Sequence, residues 1–128
     1  MGTANETPVE AEMSTPLETI SRDTTLEDAT SEMRAKGINA LLVPGAEMGI
    51  ITSTDVLDAI AEGNDPATCQ VADVMTEGIE SITTETRVRE AAEMMTTYGI
   101  NHLPVRDSDG DYVGMVSSSD LTDRLAEE

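Results

Sequence analysis
The sequence contains no phenylalanine and no tryptophan, and only two tyrosines. A core built on large rings is therefore excluded. Eight methionines, together with leucine, isoleucine and valine, must fill it, and the flexible thioether suits irregular space. Positive charge is also scarce. Seven Lys and Arg stand against 26 Asp and Glu, a formal charge of -19, and Lys36 is the sole lysine. General nucleic-acid binding needs a basic surface and is excluded; attraction to anionic membranes fails for the same reason. So large a charge opposes compaction by self-repulsion. The screening length falls from about 8 Å at physiological salt to about 3 Å near 1 M. The simplest account is adaptation to a very salty cytosol, so the chain is expected to be halophilic. Cys69 is the one cysteine. It has no partner for an internal disulfide and no companions for a metal site. No apolar run approaches the ~18 residues of a membrane span, and the acidic N-terminal stretch lacks the apolar run of a secretory signal. A cytoplasmic location is expected.

What is present is a duplicated motif. Gly114-Met115-Val116-Ser117-Ser118-Ser119-Asp120 reads as a short apolar strand that ends in hydroxyl residues, with a carboxylate three places after the first serine. Gly49-Ile50-Ile51-Thr52-Ser53-Thr54-Asp55 is the earlier copy. A Ser or Thr at the strand end caps the next helix and leaves free N–H groups pointing outward. The aspartate then falls in the first helical turn, where the helix dipole favours it. Such a carboxylate, beside hydroxyls and free amides, suits a diol, with the helix end facing a phosphate. The plainer alternative is that both aspartates only start helices.

The duplication extends along the chain at a constant offset. Val9 matches Val71, Met13 Met75, Ile20 Ile82, Ala29 Ala91 and Met33 Met95. Gly37-Ile38-Asn39 matches Gly99-Ile100-Asn101, and a longer hairpin in the second copy then brings Asp55 into line with Asp120. Each copy predicts a strand at Thr19-Ile20 (Ser81-Ile82) and a helix capped near Thr24 or Thr25 (Thr86). Leu26, Ala29 and Met33, and Val88, Ala91, Ala92 and Met95, recur at helical spacing in those helices. Gly37 and Gly99 are placed to stop them in the left-handed conformation. Two further strands follow, Ala40-Val43 with Met48-Ile51 and His102-Val105 with Tyr112-Val116. The Asp109-Gly110 turn lies within the second pair, and a closing helix ends each copy. The expected organisation is a polar tail at 1–8, repeat one at 9–62, a linker at 63–70 and repeat two at 71–128. Each unit alone would be marginal, so the two are expected to bury one shared core.

In order and spacing these segments resemble a tandem pair of CBS domains, the Bateman module, and the acid-rich composition resembles that of halophilic archaeal members. The likeness rests on Val71-Ala72-Asp73-Val74-Met75-Thr76, Glu90-Ala91-Ala92-Glu93-Met94-Met95, Gly99-Ile100-Asn101-His102-Leu103-Pro104-Val105 and Val113-Gly114-Met115-Val116-Ser117-Ser118-Ser119-Asp120. The first copy departs from the pattern at Glu12 and Leu42. The resemblance implies an α/β fold with a mixed α+β sheet: two β-α-β-β-α repeats packed with pseudo-two-fold symmetry.

It also implies a non-catalytic regulatory module that binds AMP, ADP, ATP or S-adenosylmethionine in clefts between the repeats, and needs no cofactor or metal. By that rule Asp120 and Ser117, with Ser14, Thr19 and Ile38, form one cleft. Asp55 and Thr52, with Thr76, Ser81 and Ile100, form the other. Asn101 and His102 take places where relatives contact phosphate. For His102 the alternative is an ordinary half-buried histidine with a hydrogen-bond partner. Arg124 lies one turn beyond Asp120 and would pair with it or with a ligand phosphate. Asp107, Asp109 and Asp111 lack the glycine and glutamate placement of a calcium loop and read as a solvated hairpin. A homodimer and a separate effector protein are the implied partners. The alternative function is a dimerising scaffold whose clefts bind nothing.

Overall fold
In the computed structural model, residues 7–15 and 17–125 are described, the last three without their side chains. The chain divides into two compact units. One is Glu18–Ile79; the other joins the residues up to Leu17 with those from Glu80 onward.

In the first unit, α1 (Leu26–Lys36) starts at Thr25, whose hydroxyl accepts from the Asp28 N–H. Leu26, Ala29 and Met33 form its buried face, as the helical spacing predicts. It stops at Gly37, which has φ 65°, and the Ile38 N–H returns to the Met33 carbonyl at 3.0 Å. Chain direction thus reverses into β1 (Ala40–Val43), which pairs antiparallel with β2 (Gly49–Thr52). The expected strand at Thr19-Ile20 is reduced to a single parallel bridge between Thr19 and Leu42. Next come α2 (Ser53–Ala61), the one-turn α3 (Val71–Val74) and β3 (Thr76–Glu77), which adds antiparallel to β2.

The linker is not slack. Its Pro66 and Cys69 carbonyls accept from the Glu27 and Leu26 N–H groups at 3.0 and 2.9 Å, which satisfies donors that a helix start cannot pair internally. Lys36 closes α1 against Glu18 at 2.6 Å and Glu32 at 3.1 Å.

The other unit repeats the plan with β4 (Ile82–Thr83), α4 (Val88–Tyr98), β5 (His102–Arg106), β6 (Tyr112–Ser117) and α5 (Ser118–Leu125). β4 runs parallel to β5, and β5 antiparallel to β6. Thr86 is not the cap of α4. That place belongs to Arg87, whose N–H donates to the Glu90 carboxylate at 3.2 Å, while Thr86 takes the Thr83 N–H at 3.1 Å. The 3-10 turn Val9–Ala11 enters this unit. Thr7 and Pro8, which the sequence assigns to the polar tail, are tied down here: the Thr7 carbonyl accepts from Val88 N–H, and Pro8 bridges Arg87.

Most buried side chains form two clusters, one within each unit; Ala40, Leu42 and Ile50 are buried as well and belong to neither. Leu26, Ala29, Met33, Leu41, Val43, Ile51, Val56 and Ala59 close around Val71. Ile82, Val88, Ala91, Met95, Leu103, Val105, Val116 and Leu121 close around Val9. Each cluster therefore contains one valine from the segment that leads into the other copy.

Candidate ligand-binding site
Both motifs fold as the hydroxyl-and-carboxylate pattern dictates. In the second copy the Asp120 Oδ2 accepts from the Ser117 N–H at 2.9 Å, and the Ser117 Oγ accepts from the Asp120 N–H at 3.2 Å. In the first copy the Asp55 Oδ2 accepts from the Thr52 N–H at 2.8 Å, and the Thr52 Oγ1 from the Asp55 N–H at 3.2 Å. These are reciprocal capping boxes. The next donor is used as well: the Ser118 N–H reaches the Asn101 carbonyl at 2.8 Å, and the Ser53 N–H the Asn39 carbonyl at 2.9 Å. The outward-pointing amides expected from the motif are therefore mostly consumed. The Ser119 and Thr54 N–H groups are not among these donors, and each box uses one carboxylate oxygen of its aspartate, Oδ2. All four box residues are half-buried.

Strand pairing decides what surrounds each box. His102 stands directly opposite Ser117, and the counterpart pair is Ala40 and Thr52. Opposed residues share a face of the sheet with their Cβ atoms about 5 Å apart. An imidazole thus lies beside one box and a methyl beside the other. Ser14 joins the free edge of β6, its N–H donating to the Met115 carbonyl at 2.8 Å and its carbonyl accepting from the Met115 N–H at 3.2 Å. Thr76 pairs with Ile50 on β2 in the matching place. Both hydroxyl residues are exposed.

One unit thus gathers Asp120, Ser117, His102, Ser14 and the Asn101 carbonyl; the other gathers Asp55, Thr52 and Thr76. The Asn101 side chain is exposed. Thr19 and Ile38 lie in the unit of Asp55, and Ser81 and Ile100 in the unit of Asp120. Ile38 and Ile100 each follow a left-handed glycine and pack against the core of their own unit. The Arg124 side chain lies outside the described residues. Among the described residues no group of His, Cys, Asp or Glu is arranged to hold a metal ion, and no helix is long and apolar enough to cross a membrane.

The composition gave no sign of two contacts at these edges. Gly114 and Gly49 let the backbone of Ser14 and Thr76 come close: a Cβ at Gly114 would stand 2.9 Å from the Ser14 carbonyl oxygen, and one at Gly49 2.8 Å from that of Thr76. Met13 and Met75 lie across the same glycines. The glycine at the head of each motif, together with a methionine before a hydroxyl residue, was the available signal.

The fold agrees with the comparisons. The CBS domain family matches residues 9–62 and 71–127, and the chain belongs to that family as a tandem pair. It is 35% identical over 126 residues to a CBS domain-containing protein of Dictyostelium discoideum, covering 88% of this chain and 87% of that protein. It is 32% identical over 124 residues to a homoserine O-acetyltransferase of Methanococcus vannielii, covering 94% of this chain but 25% of the enzyme. It is 36% identical over 114 residues to a mitochondrial CBS domain-containing protein of Arabidopsis thaliana, of which it spans 55%. The chain thus spans between a quarter and about half of the length of those last two relatives.

Among solved structures it is similar to a Burkholderia ambifaria protein with CBS domains, with a TM-score of 0.86 and 27% identity over 95% of this chain and 96% of that one. A CBS domain pair solved in complex with 5-methylthioadenosine and S-adenosyl-L-methionine gives a TM-score of 0.84 at 26% identity, covering 94% and 97%. A hexameric CBS-CP12 protein from bloom-forming cyanobacteria gives 0.86 at 27%, covering 93% and 71%.

Proposed function
We propose that the chain is a regulatory module that binds an adenosine-type ligand and signals to a separate effector protein. The observation that carries this is the capping box of Asp120 and of Asp55: each aspartate binds its helix start through Oδ2, and in this reading Oδ1 takes a ribose hydroxyl. The Ser119 or Thr54 N–H, at a positive helix end, is the donor for a phosphate or carboxylate. Ser117, Asn101, His102 and Ser14 complete the Asp120 site; Thr52 and Thr76 complete the Asp55 site. Thr19, Ile38, Ser81 and Ile100 remain assigned by resemblance to the family. The likeness to a pair solved with 5-methylthioadenosine and S-adenosyl-L-methionine supports the ligand class. Charge narrows it. A net charge of -19 repels polyphosphates, whereas a sulfonium or an uncharged thioether nucleoside meets no such barrier.

The proposed module has no catalytic role of its own. The matches to acetyltransferases and to a Nitrosopumilus maritimus inosine-5'-monophosphate dehydrogenase cover 21–25% of those enzymes. A cytoplasmic homodimer is part of the reading. The second reading, a scaffold that binds no nucleotide, is favoured by one fact: one oxygen of each carboxylate and most of the amides at each helix start are already engaged within the protein. Exposed Leu57, Ile60 and Tyr98 would supply its contacts. Calorimetry in molar KCl with S-adenosylmethionine, 5-methylthioadenosine, AMP and ATP separates the two. Saturable heat with any of the four supports the module, and no heat with all four supports the scaffold.

A further inference from the structure
Met13 and Met75 occupy equivalent places in the two copies. Each is half-buried, and each packs against the core of the unit its segment enters. Each also lies over a glycine that has no side chain to keep it away. A Cβ on Gly114 would stand 2.8 Å from the Met13 Sδ and 3.1 Å from its Cγ; one on Gly49 would strike the Met75 methyl. The residue after each methionine is the one fastened to the sheet, Ser14 to Met115 and Thr76 to Ile50. The two thioethers therefore sit where the leading segments are attached to the edge strands.

A thioether in this position is open to one specific chemical change. Hydroperoxides transfer one oxygen atom to methionine sulfur, which loses two electrons and becomes a sulfoxide, while the peroxide is reduced to water or an alcohol. The new S–O dipole needs a hydrogen-bond partner. The neighbours here include the apolar side chains of each cluster and a glycine, over which the Met13 sulfur and the Met75 methyl lie. In a half-buried side chain the new oxygen is hydrated where it faces solvent, and lifting away from the glycine brings it there, which pulls on the bonded residue next to it. We propose that Met13 and Met75 are a paired redox-sensitive fastening: peroxide releases Ser14 from β6 and Thr76 from β2, and reduction of the sulfoxides restores both. The fastening stands apart from the ligand reading; only its effect on binding, through Ser14 and Thr76, rests on that reading.

The test is made on the full chain in molar KCl with hydrogen peroxide as the probe. Peptide mass mapping establishes which sulfurs have gained oxygen, and amide hydrogen exchange is read at residues 13–15 and 75–77. With Met13 and Met75 oxidised, exchange there is expected to speed up about tenfold or more. Methionine sulfoxide reductases should return it to its starting value. A Met13→Leu/Met75→Leu double variant, near in volume, should keep its protection under the same treatment. Unchanged exchange with both sulfurs oxidised overturns the proposal. So does an equal loss of protection in the double variant, which would place the damage at half-buried Met48, Met94 or Met115. Failure of Met13 and Met75 to oxidise while those three do also overturns it. None of these outcomes depends on a nucleotide being bound.

Discussion
The Asp120 carboxylate accepts from the Ser117 N–H at 2.9 Å while the Ser117 hydroxyl accepts from the Asp120 N–H at 3.2 Å, so one pair of residues both starts α5 and frames the candidate site. The two roles separate by substitution. Asp120→Asn keeps an oxygen to accept the Ser117 N–H but loses the charge; Asp120→Ala loses both. Asp120→Ala is expected to cost about 1 kcal/mol of stability, as cap losses do, and Asp120→Asn much less. Both should weaken an adenosine ligand at least about tenfold if the second oxygen holds the ribose hydroxyls, since a charged hydrogen bond is worth about 1.5–3 kcal/mol. Urea unfolding and calorimetry measure the two effects. Because His102 faces Ser117 where Ala40 faces Thr52, Asp120→Asn is expected to lose more affinity than Asp55→Asn.

Val9 is fully buried among residues of the second copy. Val9→Ala removes two carbons from a closed cluster and should cost about 2 kcal/mol. Hydrogen exchange localises the damage: α4 and β5 should lose protection before α1 and β1. Val71→Ala should show the reverse order, since Val71 belongs to the cluster of α1. Loss of protection in α1 first on mutating Val9 would contradict the exchange of leading segments.

The charge of -19 sets a salt dependence. Described ion pairs include Arg22 with Glu77, and Lys36 with Glu18 and Glu32, but seven Lys and Arg cannot offset 26 Asp and Glu. Repulsion among the remaining carboxylates is relieved only by screening, whose range shrinks from about 8 Å to about 3 Å between physiological and molar salt. Circular dichroism should show unfolding on dialysis into dilute buffer and refolding in molar KCl. A spectrum unchanged in dilute buffer would contradict the halophilic reading.

Lys36 gives a pH dependence at the alkaline end. Hydrogen bonds that the ammonium donates to the Glu18 and then the Glu32 carboxylate raise its pKa above the ordinary 10.5. A group whose pKa is raised by folding stabilises fully below its unfolded value, and that contribution disappears as pH climbs through the folded value. Lys36→Met should therefore be less stable than the parent from neutral pH up to about 10, with the gap closing above that. The exposed position makes the gap small. Thermal unfolding across this range checks the closing of the gap.

The repeat, the helices and their ends were legible in the sequence because each rests on local chemistry. Leu26, Ala29 and Met33 recur at the helical period, and Gly37 and Gly99 take the left-handed conformation that ends both helices. The start of α4 was misplaced by one residue because paired threonines in the first copy left the cap ambiguous, and Arg87 relies on Glu90 instead of its own side chain. Which cluster each leading segment fills was not legible. Val9 and Val71 sit at equivalent positions, so the hydrophobic pattern is the same whichever copy each one fills. At the site, the box residues followed from hydroxyl-to-carboxylate spacing. Ser14 and Thr76 came from family resemblance alone, because one or two paired residues between distant segments leave no period to read. The Asn39 and Asn101 carbonyls were missed because backbone acceptors carry no residue signature.

Titration of the full chain with S-adenosylmethionine and with 5-methylthioadenosine, in molar KCl, tests the central claim most directly when repeated on the Asp55→Asn/Asp120→Asn double variant. A saturable signal in the parent that disappears in a variant of unchanged circular dichroism is the predicted result. Equal binding by parent and double variant would contradict it.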